Sequence, residues 1–249
     1  MKEEGDLFKK LQNNFSQVEG HLHILENPVP VELQMEYFKF SQKVRSSNNP
    51  SRPIPDDYCE KIYGDLVGDP ELDTVQKRYI LTQLATSKSV RAFRLLEDYV
   101  KTPSEDVKDW SYMALMDARI SLESDFSDEK QIYISTGLGG KGEKLRFYVL
   151  MVSKGKLPFQ EYQRQTIERE IAYYLPKENC EVERLYIGEQ YVELLFLVPV
   201  RSDIKSIIDK VIIECNQYGD FISNTFTITN VKTLNSNEIA EILSRNEDN

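Results

Sequence analysis

A glycine-rich stretch from Ser135 to Lys144, with the sequence STGLGGKGEK, is the segment whose composition most directly suggests chemistry. Its centre, GLGGKG, fits the G-x-G-x-x-G spacing of loops that hold a pyrophosphate on backbone amides. That chemistry needs the glycines to lead from a strand into a helix, because the helix N-terminus supplies the amide donors. Here the segment KLRFYVLMVS follows, and its β-branched and aromatic residues predict a strand, which excludes a dinucleotide site.

Two interpretations of the glycine-rich stretch remain. In the first, it is the tip of a β-hairpin, where glycine adopts a positive φ at low cost. In the second, its amides and the neighbouring cations form a small nest that binds an anion or a carboxylate of a partner. The candidate binding residues of this nest are Gly137, Gly139, Gly140, Lys141, Gly142, Lys144 and Arg146.

The remaining residues that could catalyse a reaction or bind a metal do not form a set. His21 and His23 are the only histidines, and no serine lies in the sequence context of a nucleophile. Cys59, Cys180 and Cys215 are widely spaced without a C-x-x-C pair, which predicts reduced and mostly buried thiols. We therefore expect no catalytic residues, no metal and no cofactor.

Composition sets limits on the partners. The chain has 249 residues, 40% of them hydrophobic, which is enough for two domains with cores of their own. Its formal net charge of -10 argues against a nucleic-acid backbone as the main partner. The first residues are not apolar, and no run of about 18 apolar residues occurs. The composition therefore predicts a cytoplasmic protein that binds neither nucleic acid nor membrane.

The first half of the chain has apolar residues at helical spacing. The predicted helices cover roughly 31 to 45, 55 to 67, 72 to 87, 89 to 102 and 105 to 124. Because the links between most of them are short, neighbouring helices should pack antiparallel. Residues 1–128 are therefore expected to form one helical domain.

Residues 84–120 resemble a HEAT-like repeat. The first helix of this unit would turn Val90, Phe93, Leu96 and Val100 inward, and after an acidic turn the second helix follows the pattern V-K-x-x-S-x-x-A-L-x-x-x-I. The resemblance implies a short α-solenoid that offers a platform to another protein. Trp110 lies in the second helix, where it either packs between helices or is an exposed anchor for that partner.

The second half of the chain changes to strand periodicity. Residues 144–234 read as strand, helix, strand, strand, helix, strand, the split β-α-β order of a ferredoxin-like sandwich. QIYIST should add one strand before them, paired as a hairpin across the glycine-rich stretch. The fold class is therefore expected to be α+β, with a ferredoxin-like domain at residues 129–249 and a helix capped by Asn235 or Ser236 at its end.

The central strand YVELLFLVPV is apolar on both alternating sets of side chains. Leu194 and Phe196 lie on one face, and Leu195 and Leu197 lie on the other. A sheet covered on one side only should alternate apolar and polar residues. The second face should therefore be covered as well, either by the helical half or by another copy of the chain as a homodimer.

These patterns favour a non-enzymatic protein-protein interaction or scaffold module. The alternative is a regulator that senses a small molecule, because ferredoxin-like domains that resemble ACT modules bind ligands where their sheets pair. An enzyme of unrecognised chemistry has no positive support in the residues.

Overall fold

A computed structural model of the chain describes residues 21–47, 54–126 and 131–245. These residues divide into two compact units that meet in sequence between Gly137 and Leu138. We call residues 21–137 the helical unit and residues 138–245 the sheet unit. The α+β class is confirmed, because helices and an antiparallel sheet are both present. No helix among the described residues is long and apolar enough to cross a membrane.

The described part of the helical unit contains the five helices that the apolar spacing predicts, with ends shifted by a few residues. They are α1 (Val31–Ser47), α2 (Asp56–Gly68), α3 (Thr74–Thr86), α4 (Val90–Tyr99) and α5 (Lys108–Phe126). The inner side of α4 differs from the prediction, because Val90 is 53% exposed while Ala92, Leu96 and Tyr99 are buried.

A buried polar network joins the first of these helices to the last. The Asp117 carboxylate of α5 accepts hydrogen bonds from the Tyr37 hydroxyl at 3.0 Å, the Ser41 hydroxyl at 2.8 Å and the Arg45 guanidinium at 2.6 Å, all from α1. In a solenoid each repeat contacts only its neighbours, so the first and last helices would not meet. The HEAT-like repeat and α-solenoid interpretation is therefore wrong for this unit.

Two short strands also belong to the helical unit. β1 (His21–Ile24) pairs in parallel with β2 (Gln131–Ile134), with His23 opposite Tyr133. The predicted strand QIYIST thus forms, but it does not pair across the glycine-rich stretch. The segment expected to be a helical domain at residues 1–128 thus also contains a strand, because β1 pairs with β2.

The sheet unit contains five strands and three helices. They are β3 (Gly140–Lys141), β4 (Lys144–Ser153), α6 (Glu161–Lys177), β5 (Glu181–Ile187), β6 (Tyr191–Pro199), α7 (Ile204–Asn216), β7 (Ile222–Thr229) and α8 (Ser236–Arg245). The strand order is β7-β4-β6-β5, every pair is antiparallel, and β3 lies beside the start of β4. Asn235 caps α8, because its side chain accepts from the amides of Asn237 and Glu238.

The first face of the sheet is covered by α6 and α7. Val149, Met151, Leu194 and Phe196 alternate with the residues of the opposite face and are all 0% exposed. The inner sides of the two helices are equally apolar and buried, as their spacing predicts. Their buried apolar residues are Ile167, Ile171 and Leu175 in α6, and Ile204, Ile207, Ile208, Val211, Ile212 and Cys215 in α7.

The second face of the sheet is covered by α8 of the same chain. Ile239 of α8 belongs to one buried cluster with Leu138, Tyr148 and Leu150, and Leu195 packs against that cluster. The second face is therefore covered as expected, and the cover is α8. The sequence NSNEIAEILS is amphipathic, with its isoleucines three residues apart, and such a helix has one apolar side that can pack on a sheet.

Candidate nucleic-acid interface

The glycine-rich stretch forms a small turn between β3 and β4. Gly139 and Gly142 have φ values of 68° and 56°, which an L side chain adopts only with strain. Gly140 pairs with Leu145 across the turn, and the Arg146 amide donates to the Gly139 carbonyl at 3.0 Å. The hairpin geometry expected for these glycines is thus present over residues 140–145, although its first strand is only two residues long.

The cations of the predicted nest are bound to carboxylates of β5. The Lys144 ammonium lies 2.6 Å from Glu181, and Lys141 lies 3.9 Å from the same side chain. The Arg146 guanidinium makes a bidentate pair with Glu183 and also donates to the Leu138 carbonyl at 2.6 Å. An anion would have to compete with both carboxylates, so the nest stays a sequence-based prediction that these contacts disfavour.

The ion pairs of Lys144 and Arg146 on β4 with Glu181 and Glu183 on β5 span β6, which lies between these two strands. Arg146 of β4, Leu197 of β6 and Glu181 of β5 are in register, so the bridges pass over the position of Leu197. Leu197 is 1% exposed. The cations of the glycine-rich turn therefore help to cover the second face of the sheet.

Trp110 is buried in the helical unit and is 1% exposed. Its indole N–H donates to the Arg78 carbonyl at 3.2 Å and to the Thr82 hydroxyl at 3.1 Å. The Arg78 guanidinium lies 4.5 Å from the ring centroid. Of the two interpretations for this residue, the exposed anchor is wrong in this conformation, because a partner cannot reach the ring.

The histidine segment contributes to a polar contact between β1, β2 and α5. His23 Nε2 lies 2.9 Å from Glu123, and its ring stacks on Tyr133 with centroids 4.6 Å apart. The Tyr133 hydroxyl donates to Glu123, and partial burial followed by that carboxylate raises the pKa of Tyr133 to about 12. Within the described residues no three His, Cys, Asp or Glu side chains are placed to hold a metal ion.

A row of exposed tyrosines and cations lies on the outer side of α6 and α7. We call Tyr162, Arg169, Tyr173, Lys177 and Tyr218 the tyrosine–cation stripe. The three tyrosines are 49%, 55% and 54% exposed in chain order. The Lys177 ammonium lies 3.5 Å from the Tyr173 ring centroid, and the Arg169 guanidinium lies 4.8 Å from that of Tyr218.

Local structure explains how the stripe forms. Four of its members lie on α6 at separations of seven, four and four residues, which places them on one side of a helix. Tyr218 follows the end of α7, and the positive φ of 126° at Gly219 turns the chain directly after it. A side chain on Gly219 would lie 3.7 Å from the Tyr162 hydroxyl, so the end of α7 and the start of α6 are close neighbours.

Acidic side chains next to the stripe reduce its charge. Glu170 is buried and binds the Arg169 guanidinium at 2.8 Å, and this hydrogen bond raises the pKa of Arg169. Burial first, and then Glu214, raise the pKa of Tyr174, which lies beside Tyr173 with ring centroids 5.0 Å apart. The stripe therefore offers aromatic rings and two cations without a strong positive field.

The tyrosine–cation stripe was not predicted from the sequence, although part of the signal lies there. Tyr162, Arg169, Tyr173 and Lys177 recur at helical spacing on the side opposite to the apolar one. Tyr218 could not have been added from the sequence, because its place depends on how α7 packs beside α6.

Comparison with known proteins gives little at the level of sequence: no family model matches the chain, and no curated protein matches it. Several solved structures are similar to part of it, including the following two. One is a protein of Deinococcus radiodurans R1 assigned as a transposase, with 14% identity, a TM-score of 0.35 and coverage of 44% of this chain and 95% of that one.

The other is the REP-associated tyrosine transposase bound to a REP hairpin. It has 12% identity and a TM-score of 0.32, and the match covers 47% of this chain and 67% of that one. Because the identities and TM-scores are this low, what these two proteins bind or catalyse is known of those proteins alone.

Three sequence-based expectations do not agree with the names of these two structures. Neither name describes a non-enzymatic scaffold module, so that expectation is withdrawn. The protein partner and the exclusion of nucleic acid are withdrawn too, since one of the two structures is bound to a REP hairpin. The exclusion rested on the net charge of the whole chain, whereas contacts with nucleic acid depend on the local surface.

Proposed function

We propose that the sheet unit binds single-stranded nucleic acid through the tyrosine–cation stripe. The single observation that supports this function is the row of three half-exposed tyrosines, two of which have a cation on the ring. Bases of a single strand stack on aromatic rings whatever their sequence, while cations beside the rings meet the phosphates.

The residues of the stripe would divide the work between bases and backbone. The exposed faces of Tyr162, Tyr173 and Tyr218 would each take one base. Lys177 would contact a phosphate, whereas at Arg169 a phosphate would have to compete with the Glu170 carboxylate. The contacts of both cations with the rings hold them at the surface. Since both sit next to a tyrosine, one nucleotide could use a ring and a cation together.

The modest charge of the stripe gives the proposal a distinctive salt dependence. A single strand loses affinity with a slope of about -0.7 in log K against log salt for each neutralised phosphate, so the two cations predict a slope no steeper than about -1.4. A binding mode driven by the backbone alone would be steeper. Stacking would supply most of the affinity, at roughly 1–3 kcal/mol for each base.

The experiment is a fluorescence-anisotropy titration of the full chain with a labelled single-stranded oligothymidine. The triple variant Tyr162→Ala, Tyr173→Ala, Tyr218→Ala should lose about tenfold or more in affinity, since even one stacked base has that weight. The matched control is Tyr58→Ala with Tyr79→Ala, because these tyrosines are 42% and 45% exposed in the helical unit. Equal binding by the triple variant and the control would refute the proposal.

We also propose that residues 129–249 form a ferredoxin-like sandwich, joined to a helical domain at residues 1–128. The proposal is supported by the strand order β7-β4-β6-β5, with α6 and α7 each connecting two strands. β2, however, lies in the helical unit, which favours a boundary nearer to Gly137.

A further inference from the structure

The second face of the sheet holds three more tyrosines, and α8 covers part of them. Tyr148 of β4, Tyr191 of β6 and Tyr186 of β5 lie on this face in neighbouring strands. Tyr148 is 0% exposed, Tyr191 is half-buried and Tyr186 is 51% exposed. The rings of Tyr186 and Tyr191 are 6.0 Å apart. The face therefore changes from covered to open between β4 and β5.

Cations line the same face. Lys144, Arg146 and Tyr148 are spaced two residues apart along β4, so all three point to one side of the sheet. Arg184 of β5 adds a third cation, whose guanidinium lies 3.9 Å from Glu193. Glu193 also accepts a hydrogen bond from the Tyr148 hydroxyl at 2.8 Å. The three cations face Glu181, Glu183 and Glu193, which leaves this surface near neutral.

The loop between β5 and β6 fixes one of the rings. A side chain at Gly188 would lie 3.1 Å from two ring atoms of Tyr191. Glycine thus allows the ring to lie directly over the turn, and the Gly188 amide donates to the Tyr191 carbonyl at 2.8 Å. The Tyr191 ring is held beside Tyr186 by backbone geometry and not by α8 alone.

α8 is a short cover that is held by few side chains. It has ten residues, and a helix of that length is marginal in water without tertiary contacts. Ile239 is its buried residue, whereas Ile242 and Leu243 are only partly buried against the sheet. The Asn235 cap and the bridge from Lys232 to Glu238 are local to the start of the helix. Displacement of α8 would therefore expose the cluster that Ile239 forms with Leu138, Tyr148 and Leu150.

We infer that α8 is a displaceable cap over a second surface for stacked bases, formed by Tyr148, Tyr186 and Tyr191. The ligand is a segment of single-stranded nucleic acid, and this choice of ligand rests on the proposed function. With α8 in place only Tyr186 is freely accessible. With α8 displaced, Tyr148 is uncovered on the same face as the Tyr186–Tyr191 pair, four residues along the sheet from Tyr191, and the cations of β4 and β5 flank the rings.

The test uses the full chain with the stripe silenced, so that the two surfaces can be told apart. The parent carries Tyr162→Ala, Tyr173→Ala and Tyr218→Ala. Adding Ile239→Asp and Ile242→Asp should detach α8 and raise the affinity for oligothymidine by about tenfold, the weight of one newly stacked base. Adding Tyr186→Ala to that uncapped variant should then lower the affinity for oligothymidine again.

The control adds the same charges elsewhere. Val67→Asp with Val75→Asp changes two exposed valines of the helical unit and should leave the affinity of the parent unchanged. If the uncapped protein loses its near-ultraviolet dichroism, the milder variant Leu243→Ser replaces it and should give a smaller gain. Unchanged affinity in either folded variant overturns the inference. If displacing α8 raises the affinity but the triple variant binds as tightly as the unaltered chain, only the proposed role of the stripe is refuted.

Discussion

The two faces of the sheet are covered in different ways although the same strands supply both. On the first face Val149, Leu194 and Phe196 are fully buried under two helices of 17 and 13 residues. On the second face a helix of ten residues and a pair of ion bridges cover Leu195 and Leu197. The first face is therefore expected to contribute more to the stability of the unit than the second.

The largest effect is expected from a cavity on the first face. Phe196→Ala removes a fully buried aromatic ring and should lower the free energy of unfolding by about 3–5 kcal/mol. Urea unfolding monitored by circular dichroism measures this loss. If Phe196→Ala lowers the free energy of unfolding no more than Ile239→Ala on the second face does, the two faces do not differ in stability.

A smaller loss is expected from the cap. Ile239→Ala truncates the buried side chain of α8 and should lower the free energy of unfolding by about 2 kcal/mol, near the low end for such truncations, because its neighbours Ile242 and Leu243 are only partly buried. The same unfolding experiment measures it. Hydrogen exchange would sharpen the result, because the amides of α8 should lose protection while those of β6 keep it.

The ion bridges should contribute still less. Arg146→Ala breaks the pair with Glu183 at a site where the two side chains are 15% and 30% exposed. We expect a loss of about 1 kcal/mol, since solvent screens the pair and Arg146 also covers Leu197. Arg201→Ala, an exposed arginine beyond β6, is the matched control and should be nearly neutral. An equal effect of both variants would show that the bridge does not hold the second face.

The smallest effect is a pH dependence of the same bridges. The hydrogen bond and charge of Lys144 hold the pKa of Glu181 below its ordinary value of 4.5. A depressed pKa in the folded state means that the contribution is fully present above pH 4.5 and is lost as the pH falls through the lower folded value. Glu181→Gln should therefore show a shallower loss of stability on acidification below pH 4.5, as thermal unfolding at a series of pH values would reveal.

Much of the local structure could be predicted from particular residues. The helices and strands of residues 144–234 follow each other in the predicted order, and Asn235 was identified as a candidate cap of α8. The both-sided apolar pattern of β6 correctly required a covered second face. These predictions succeed because helix and strand periods, caps and turn glycines are set by neighbours in the sequence.

The candidate site was less predictable for a physical reason. Lys141, Lys144 and Arg146 were recognised as cations near glycines, but their partners Glu181 and Glu183 come from a strand two positions away in the sheet. Trp110 and Tyr162 have similar aromatic character in the sequence, yet one is buried and the other is half-exposed. Charge and exposure at a surface depend on which segments meet there.

The sequence by itself determined the types of the elements and the sides on which they are apolar, because these follow from side-chain periodicity over a few turns or strand residues. Only the tertiary structure decided that β2 pairs with β1, that α1 closes on α5 through Asp117, and that α8 folds back over β4 and β6. Each of those choices joins residues far apart in the chain, where the free energy depends on mutual packing and on the partners available to buried polar groups. No local pattern contains that information.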